Sequence, residues 1–232
     1  MEYVVSHAFH GKCVYLALGV SGFALLQTCV WRKLMSVKLI LASGSPRRAN
    51  LLQQIGLTFE VVRPDIDETV EPGESPVGYA TRMSASKMLR SRGLLKEAGK
   101  AVILCADTIV VLDKEIVGKP ETRFDAITVL QRMSGKKHQV LTSVTIGETT
   151  SSKQRSFIVE TIVTFRRLSV SECEAYWETG EPADKSGSYG IQGLGSIFVA
   201  GIDGSPSNVA GLPLMETAAE LKSFGIECLV QL

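Results

Sequence analysis

Histidine and cysteine are both scarce in this 232-residue chain: the histidines are His7, His10 and His138, and the cysteines stand apart at 13, 29, 105, 173 and 228. No two cysteines have CxxC spacing, and an odd number spread this widely is no disulfide framework, so the expectation is reduced thiols in a cytosolic protein. Two of the three histidines fall in the first ten residues, which leaves a His-rich zinc site without support. A Ser-His-Asp arrangement would rest on His138 alone, with no nucleophile elbow near it. Neither sign of charge is in excess, with 25 Lys and Arg against 24 Asp and Glu. That balance excludes a dedicated nucleic-acid wrapper but leaves room for a local anion site. A Walker A loop and a Rossmann GxGxxG are both missing, as are internal repeats. Catalytic work therefore falls to carboxylates, lysines and arginines.

What is present is an ordinary globular balance, 45% hydrophobic and 21% charged. The first 34 residues differ from the rest. From Cys13 to Trp31 the chain carries no charge, and Arg32 and Lys33 follow. An apolar run of about 17–25 residues can span a bilayer. A signal-anchor would keep the following domain cytoplasmic through that basic pair. A cleaved signal peptide fits less well, for want of an n-region charge and an A-x-A site. The favoured expectation is an overlong start, because Met35 directly precedes a natural first strand. The organisation expected is thus an apolar extension over 1–34 and a cytoplasmic functional domain over 35–232 that makes no membrane contact.

From there strands and helices alternate. Lys38–Ala42 reads as a buried strand, and Ser45 with Pro46 as the cap and first residue of a helix running to Gly56. Further strands are expected at Phe59–Val62, at Ala101–Ala106 and Thr108–Leu112 on either side of Asp107, and at Glu115–Val117 after a tight Asp113-Lys114 turn. His138–Ile146 and Phe157–Phe165 read as an antiparallel pair. Helices are expected from Pro76 to Gly93, over Arg123–Met133, after the Ser169–Glu172 capping box, and from Pro213 to Gly225. Helices alternate with strands while hairpins interrupt them, which predicts an α/β fold with a mixed sheet.

Three segments carry candidate chemistry. Ser43-Gly-Ser-Pro-Arg47-Arg48 joins a strand to a capped helix, an arrangement that suits phosphate, though the segment alone fits a well-capped surface helix with two solvated arginines slightly better. Asp107 lies in an apolar run, where a lone carboxylate is costly unless paired or bound to a cation. Lys119 follows in a Gly-Lys-Pro loop, and Asp65, Asp67 and Glu68 add carboxylates that would suit Mg²⁺ or Mn²⁺ shared with substrate phosphates. Asp184 to Gly193 holds three glycines around Tyr189 and Gln192, which reads as a ligand-approaching loop or a bulged strand.

SGSPRR, ADTIVVLD with VGKP, TGEPADKSGSYGIQG and NVAGLPL, in that order over Met35 to Cys228, resemble the Maf family of nucleotide pyrophosphatases. The resemblance implies a Maf/ITPase-like fold, an extended mixed β-sheet flanked by helices with two lobes around a central cleft. It implies hydrolysis of a nucleoside triphosphate to monophosphate and pyrophosphate with a divalent metal. It places Ser43, Arg47 and Arg48 at the triphosphate, and Glu68, Lys87, Asp107 and Lys119 around the scissile bond. Asp107 becomes the general base or, with Glu68, a metal ligand. The dTTP/UTP branch is the similar one, with Arg47, Thr108 and Gln192 as specificity positions. Homodimers are common in such proteins, though no exposed apolar helix face here demands one. Two alternatives stand beside this: a nucleotide-binding regulator of cell division acting through a protein partner, and a hydrolase of another, non-standard triphosphate.

Overall fold

A computed structural model describes residues 37–228. The apolar run Cys13–Trp31 lies outside the described residues. Among them, no helix is long and apolar enough to cross a membrane.

Strand β1 (Lys38–Ala42) leads through helix α1 (Pro46–Gln54) to β2 (Glu60–Val62), and α2 (Pro76–Leu94) carries the chain to β3 (Ala101–Leu112). Both β2 and β3 lie parallel to β1, the arrangement that crossover helices allow. Strand β4 (Glu115–Val117) folds back on β3 through Asp113 and Lys114, both at positive φ, as in a two-residue I′ hairpin. Helix α3 (Arg123–Met133) precedes the long hairpin β5 (Lys137–Glu148) and β6 (Gln154–Phe165). Helix α4 (Val170–Glu178) opens with the expected capping box. Three 3₁₀ turns, β7 (Val199–Asp203), α5 (Pro206–Ala210) and α6 (Leu214–Ser223) complete the order. The seven-stranded sheet runs β2-β1-β3-β5-β6-β7 with β4 beside β3, so it is mixed, as expected.

The centre of the sheet corrects one expectation. Asp107 does not divide two strands; β3 runs unbroken through it, and Asp107 sits opposite Ser143 of β5. Its backbone bonds are satisfied by β5, so the carboxylate needs only a side-chain partner, and α2 supplies one. The smaller elements β7 and α5 carry too short a pattern to be read from sequence. The Asp184–Gly193 segment resolves as 3₁₀ turns and loop rather than a bulged strand. Gly187 there has φ +75°, and a Cβ would lie 2.8 Å from Val110, so only glycine fits.

Alternation along β3 sorts the packing. Ile103, Cys105, Ile109 and Val111 face α2, whose Tyr79, Ala80, Met83 and Met88 recur at helical spacing. On the opposite face, Val102, Leu104 and Ala106 join one core with Leu52, Leu212 and Leu221. Val110 and Leu112 join a second with Leu130, Phe165 and Phe198. Thr108 falls between those two cores.

Candidate active site

The site begins as a gap in the sheet. Pairing of β1 with β3 ends at Ala42 opposite Cys105, and β4 does not join that side until Val110. Over Ala106–Ile109 the edge of β3 is therefore open, at the carboxyl end of a parallel strand, where α/β sheets commonly bind ligands. A cavity of ≈ 710 Å³ occupies the gap, within the usual range of about 300–1,000 Å³ for small-molecule sites.

One wall is the β1–α1 turn. Ser45 is the N-cap in extended conformation with Pro46 behind it, but its hydroxyl makes no capping bond, contrary to the usual role of a serine there. Its backbone N–H instead donates to Ser43 Oγ at 3.2 Å. Arg48 is buried and tied on three sides: Nη1 donates to Ser43 Oγ (2.9 Å), Nη2 to Thr108 Oγ1 (3.0 Å) and Nε to the Gly211 carbonyl (2.9 Å). Burial pulls its pKa below the usual arginine value, with Asp107 pulling the other way. Arg47 is more open and reaches Asp184, another residue of the cavity lining, at 3.2 Å.

The other sheet face supplies the carboxylates. Lys87 occupies a core position of α2, and its Nζ donates to Asp107 Oδ1 at 2.7 Å and meets Glu68 Oε1 at 2.9 Å. Glu68 lies on the loop after β2, which Tyr79 anchors by donating to the Glu68 carbonyl at 2.8 Å. Burial pushes the Glu68 carboxyl up, but the Lys87 hydrogen bond and charge, with Lys119 and Arg48 behind it, hold it below its ordinary value. Lys119 lines the cavity from the exposed loop after β4. Cys105 is fully buried beneath this cluster, and burial pushes its thiol up to about 12.

Every site residue expected from sequence lines this one cavity: Ser43, Arg47, Arg48 and Thr108 on the turn side, Glu68, Lys87, Asp107 and Lys119 opposite, and Gln192 exposed at the rim. Sequence reasoning gave no role to Glu181 or Lys185, which also line it. Lys185 Nζ donates to the Glu181 carbonyl and to Asp184 Oδ1, both at 2.6 Å. The dense glycines after them were the available signal. Glu68 and Asp107 meeting at one ammonium are a small, hard donor set. It fits a Mg²⁺ or Mn²⁺ ion that takes its remaining ligands from water and substrate phosphate. Among the described residues no group of three or more His, Cys, Asp or Glu side chains converges.

His138 is not on the cavity wall. It is buried with Nε2 2.9 Å from Tyr189 Oη, edge-on to Phe165, and its Nδ1 has no partner. Burial pushes its imidazole down to about 4. The unfolded chain therefore takes up this proton more readily, so stability present above about pH 6.5 drains away as pH falls toward 4, by up to ~3 kcal/mol. Denaturant melts at neutral and acid pH should show His138→Gln with a flatter loss than wild type across that window. Parallel curves would remove His138 as the cause.

A sheet-edge cavity with arginines and lysines set against paired carboxylates defines an α/β protein built to hold a polyanion and act on it. Comparison places it further: the chain belongs to the Maf-like protein family, whose model matches residues 38–224. A dTTP/UTP pyrophosphatase of Pseudoalteromonas atlantica is 51% identical over 82% of this chain and all of its own length. Proteins of the same description from Vibrio cholerae and Shewanella oneidensis are 49% and 48% identical, over 81% and 82% of this chain and 98% and 100% of theirs.

Proposed function

We propose that this chain is a nucleoside triphosphate pyrophosphatase that hydrolyses dTTP and UTP to the monophosphate and pyrophosphate. The observation that carries this is Lys87 joining Asp107 and Glu68 within a cavity whose opposite wall is a cationic helix N-terminus, in a chain half identical to relatives so described.

The triphosphate lies with its phosphates toward the Ser43–Arg47 turn, where α1 offers unpaired N–H groups and Arg47 exchanges Asp184 for phosphate oxygens. Arg48 holds the turn rather than reaching out, because its guanidinium already bonds Ser43, Thr108 and Gly211. Asp107 takes a proton from water as that oxygen bonds to the α-phosphorus and the bond to the β-bridging oxygen breaks. Pyrophosphate leaves with the electron pair. Lys87 and Lys119 offset the charge gathering on the phosphates. Glu68 and Asp107 are the residues that would hold a Mg²⁺ or Mn²⁺, which supplies Lewis-acid charge neutralisation when bound. The functional domain is taken as residues 35–232, a boundary that the start of the family match at residue 38 supports.

Gln192 is exposed in the lining of the same cavity as Thr108 and reads the O4/N3–H edge that uracil and thymine share. Gln192→Ala is expected to raise KM for dTTP and UTP by about 5–100-fold, the worth of one or two hydrogen bonds. Its kcat should stay within a few-fold of wild type; steady-state kinetics with both wild-type and unchanged KM would rule out base reading by this residue. The function itself is tested by pyrophosphate release from a nucleotide panel with Mg²⁺ or Mn²⁺. Fastest release from dTTP and UTP is expected, and preference for another base would overturn the pyrimidine assignment.

A further inference from the structure

The loop that carries Gln192 has little regular structure of its own, so something else must hold it still. One carboxylate and one phenol do so. Glu181 Oε2 accepts from the Leu194 N–H at 2.8 Å, and Oε1 accepts from the Gly195 N–H at 3.1 Å and from Tyr176 Oη at 2.7 Å. Tyr176 Oη in turn accepts from the Gly190 N–H at 3.0 Å. Gln192 is thus bracketed by backbone amides on both sides that end on this pair. The glycines are the counterpart of the same device. A Cβ on Gly190 or Gly193 would collide with the Glu181 carboxylate, and one on Gly195 with Tyr176 Oη. The loop is drawn down onto these two side chains more closely than any other residue allows.

The pair is itself anchored. Tyr176 is buried, with its ring edge-on to Phe198 at a centroid distance of 4.9 Å. The Glu181 N–H donates to Thr179 Oγ1 at 3.2 Å, and its carbonyl holds Lys185. A carboxylate on the wall of a triphosphate site repels its ligand, so its place there calls for a compensating use. The three N–H and O–H donors spend its charge on the loop rather than on the cavity.

We propose that Glu181, with Tyr176, is a positioning residue that sets base specificity by fixing the Gly190–Gly195 loop in the form that presents Gln192. This rests on the reading of Gln192 as the base contact. Both carboxylate oxygens accept from backbone N–H groups, so the amide of Glu181→Gln must turn an NH₂ toward one of them. Tyr176→Phe keeps the ring packing and frees only Gly190 and Glu181. The test compares wild type, Glu181→Gln and Tyr176→Phe for kcat and KM on dTTP, UTP, CTP and ATP, with amide hydrogen exchange of the same proteins.

Each variant is expected to raise KM for dTTP and UTP about 10-fold or more, with kcat within about threefold of wild type. Preference for dTTP over CTP should shrink in both, and exchange should quicken at residues 190–195 and nowhere else. Faster exchange with wild-type KM and selectivity overturns the specificity role. A fall in kcat with KM and exchange unchanged overturns positioning and puts Glu181 in the chemistry. Should wild type prefer another base, the pyrimidine assignment fails separately, and the brace is judged by the same KM, selectivity and exchange with that nucleotide.

Discussion

Asp107→Asn is expected to lower kcat for dTTP hydrolysis by ~10³-fold, the span attributed to a positioned general base, while nucleotide still binds. The substitution is nearly isosteric, and the altered side chain stays opposite Ser143 in an intact β3. Lys87 loses the charge of one partner, whose amide oxygen can still accept, and keeps Glu68 at 2.9 Å, so no buried cation is stranded. The amide can neither take a proton from water nor serve as an anionic ligand beside Glu68. Single-turnover kinetics with separate nucleotide-binding titration distinguishes the cases. Turnover within tenfold of wild type would sink the role given to Asp107. Nucleotide binding without turnover in wild type and mutant alike would favour a regulator that only senses nucleotide.

Arg48→Lys is expected to be the most damaging change that keeps its charge. A single ammonium on a flexible stem cannot meet Ser43 Oγ, Thr108 Oγ1 and the Gly211 carbonyl at once, which the planar guanidinium does. At least two buried acceptors lose their charged donor, and hydrogen bonds of that kind are worth about 1.5–3 kcal/mol each. Loss of ~3 kcal/mol corresponds to a melting temperature lower by about 6–12 °C for a domain of this size. Because the same bonds join the β1–α1 turn to β3 and to the turn at Gly211, kcat/KM should fall by at least ~10²-fold with it. Calorimetry and steady-state kinetics check both parts. A melting temperature within 2 °C of wild type would mean that the three bonds contribute nothing net, and roughly wild-type kcat/KM would separate Arg48 from the site.

These two residues also mark how far the sequence could be read. The turn with Arg47 and Arg48 was legible because strand, small residues, proline and helix occur in one continuous segment, and local signals settle local structure. What Arg48 does was not legible: its partners lie 60 and 163 positions away at Thr108 and Gly211. A guanidinium that looks available for phosphate in the sequence is already engaged in the fold. Asp107 was conspicuous as a charge in an apolar run, yet that same conspicuousness suggested a break in the strand. The break does not occur because Lys87, on a helix 20 residues earlier, meets the cost of burial. Lys87 falls in helical register with Ala80, Met83 and Met88 of α2, yet a lysine in that register reads as readily as a surface residue, and family resemblance alone gives it a role.

By itself the sequence determined the order of the longer strands and helices, the mixed character of the sheet and the types of side chain available for chemistry. Those follow from periodicity, caps and turns, which act over a few residues. Only the tertiary structure decided that β1 ends at Ala42, opposite Cys105 of β3, and that β4 pairs with β3 only from Val110 on, leaving the gap in which the site lies. It alone placed Glu181 and Tyr176 under the Gln192 loop. Register and long-range side-chain pairing arise from how whole elements pack, and no local pattern encodes where one strand ends beside another.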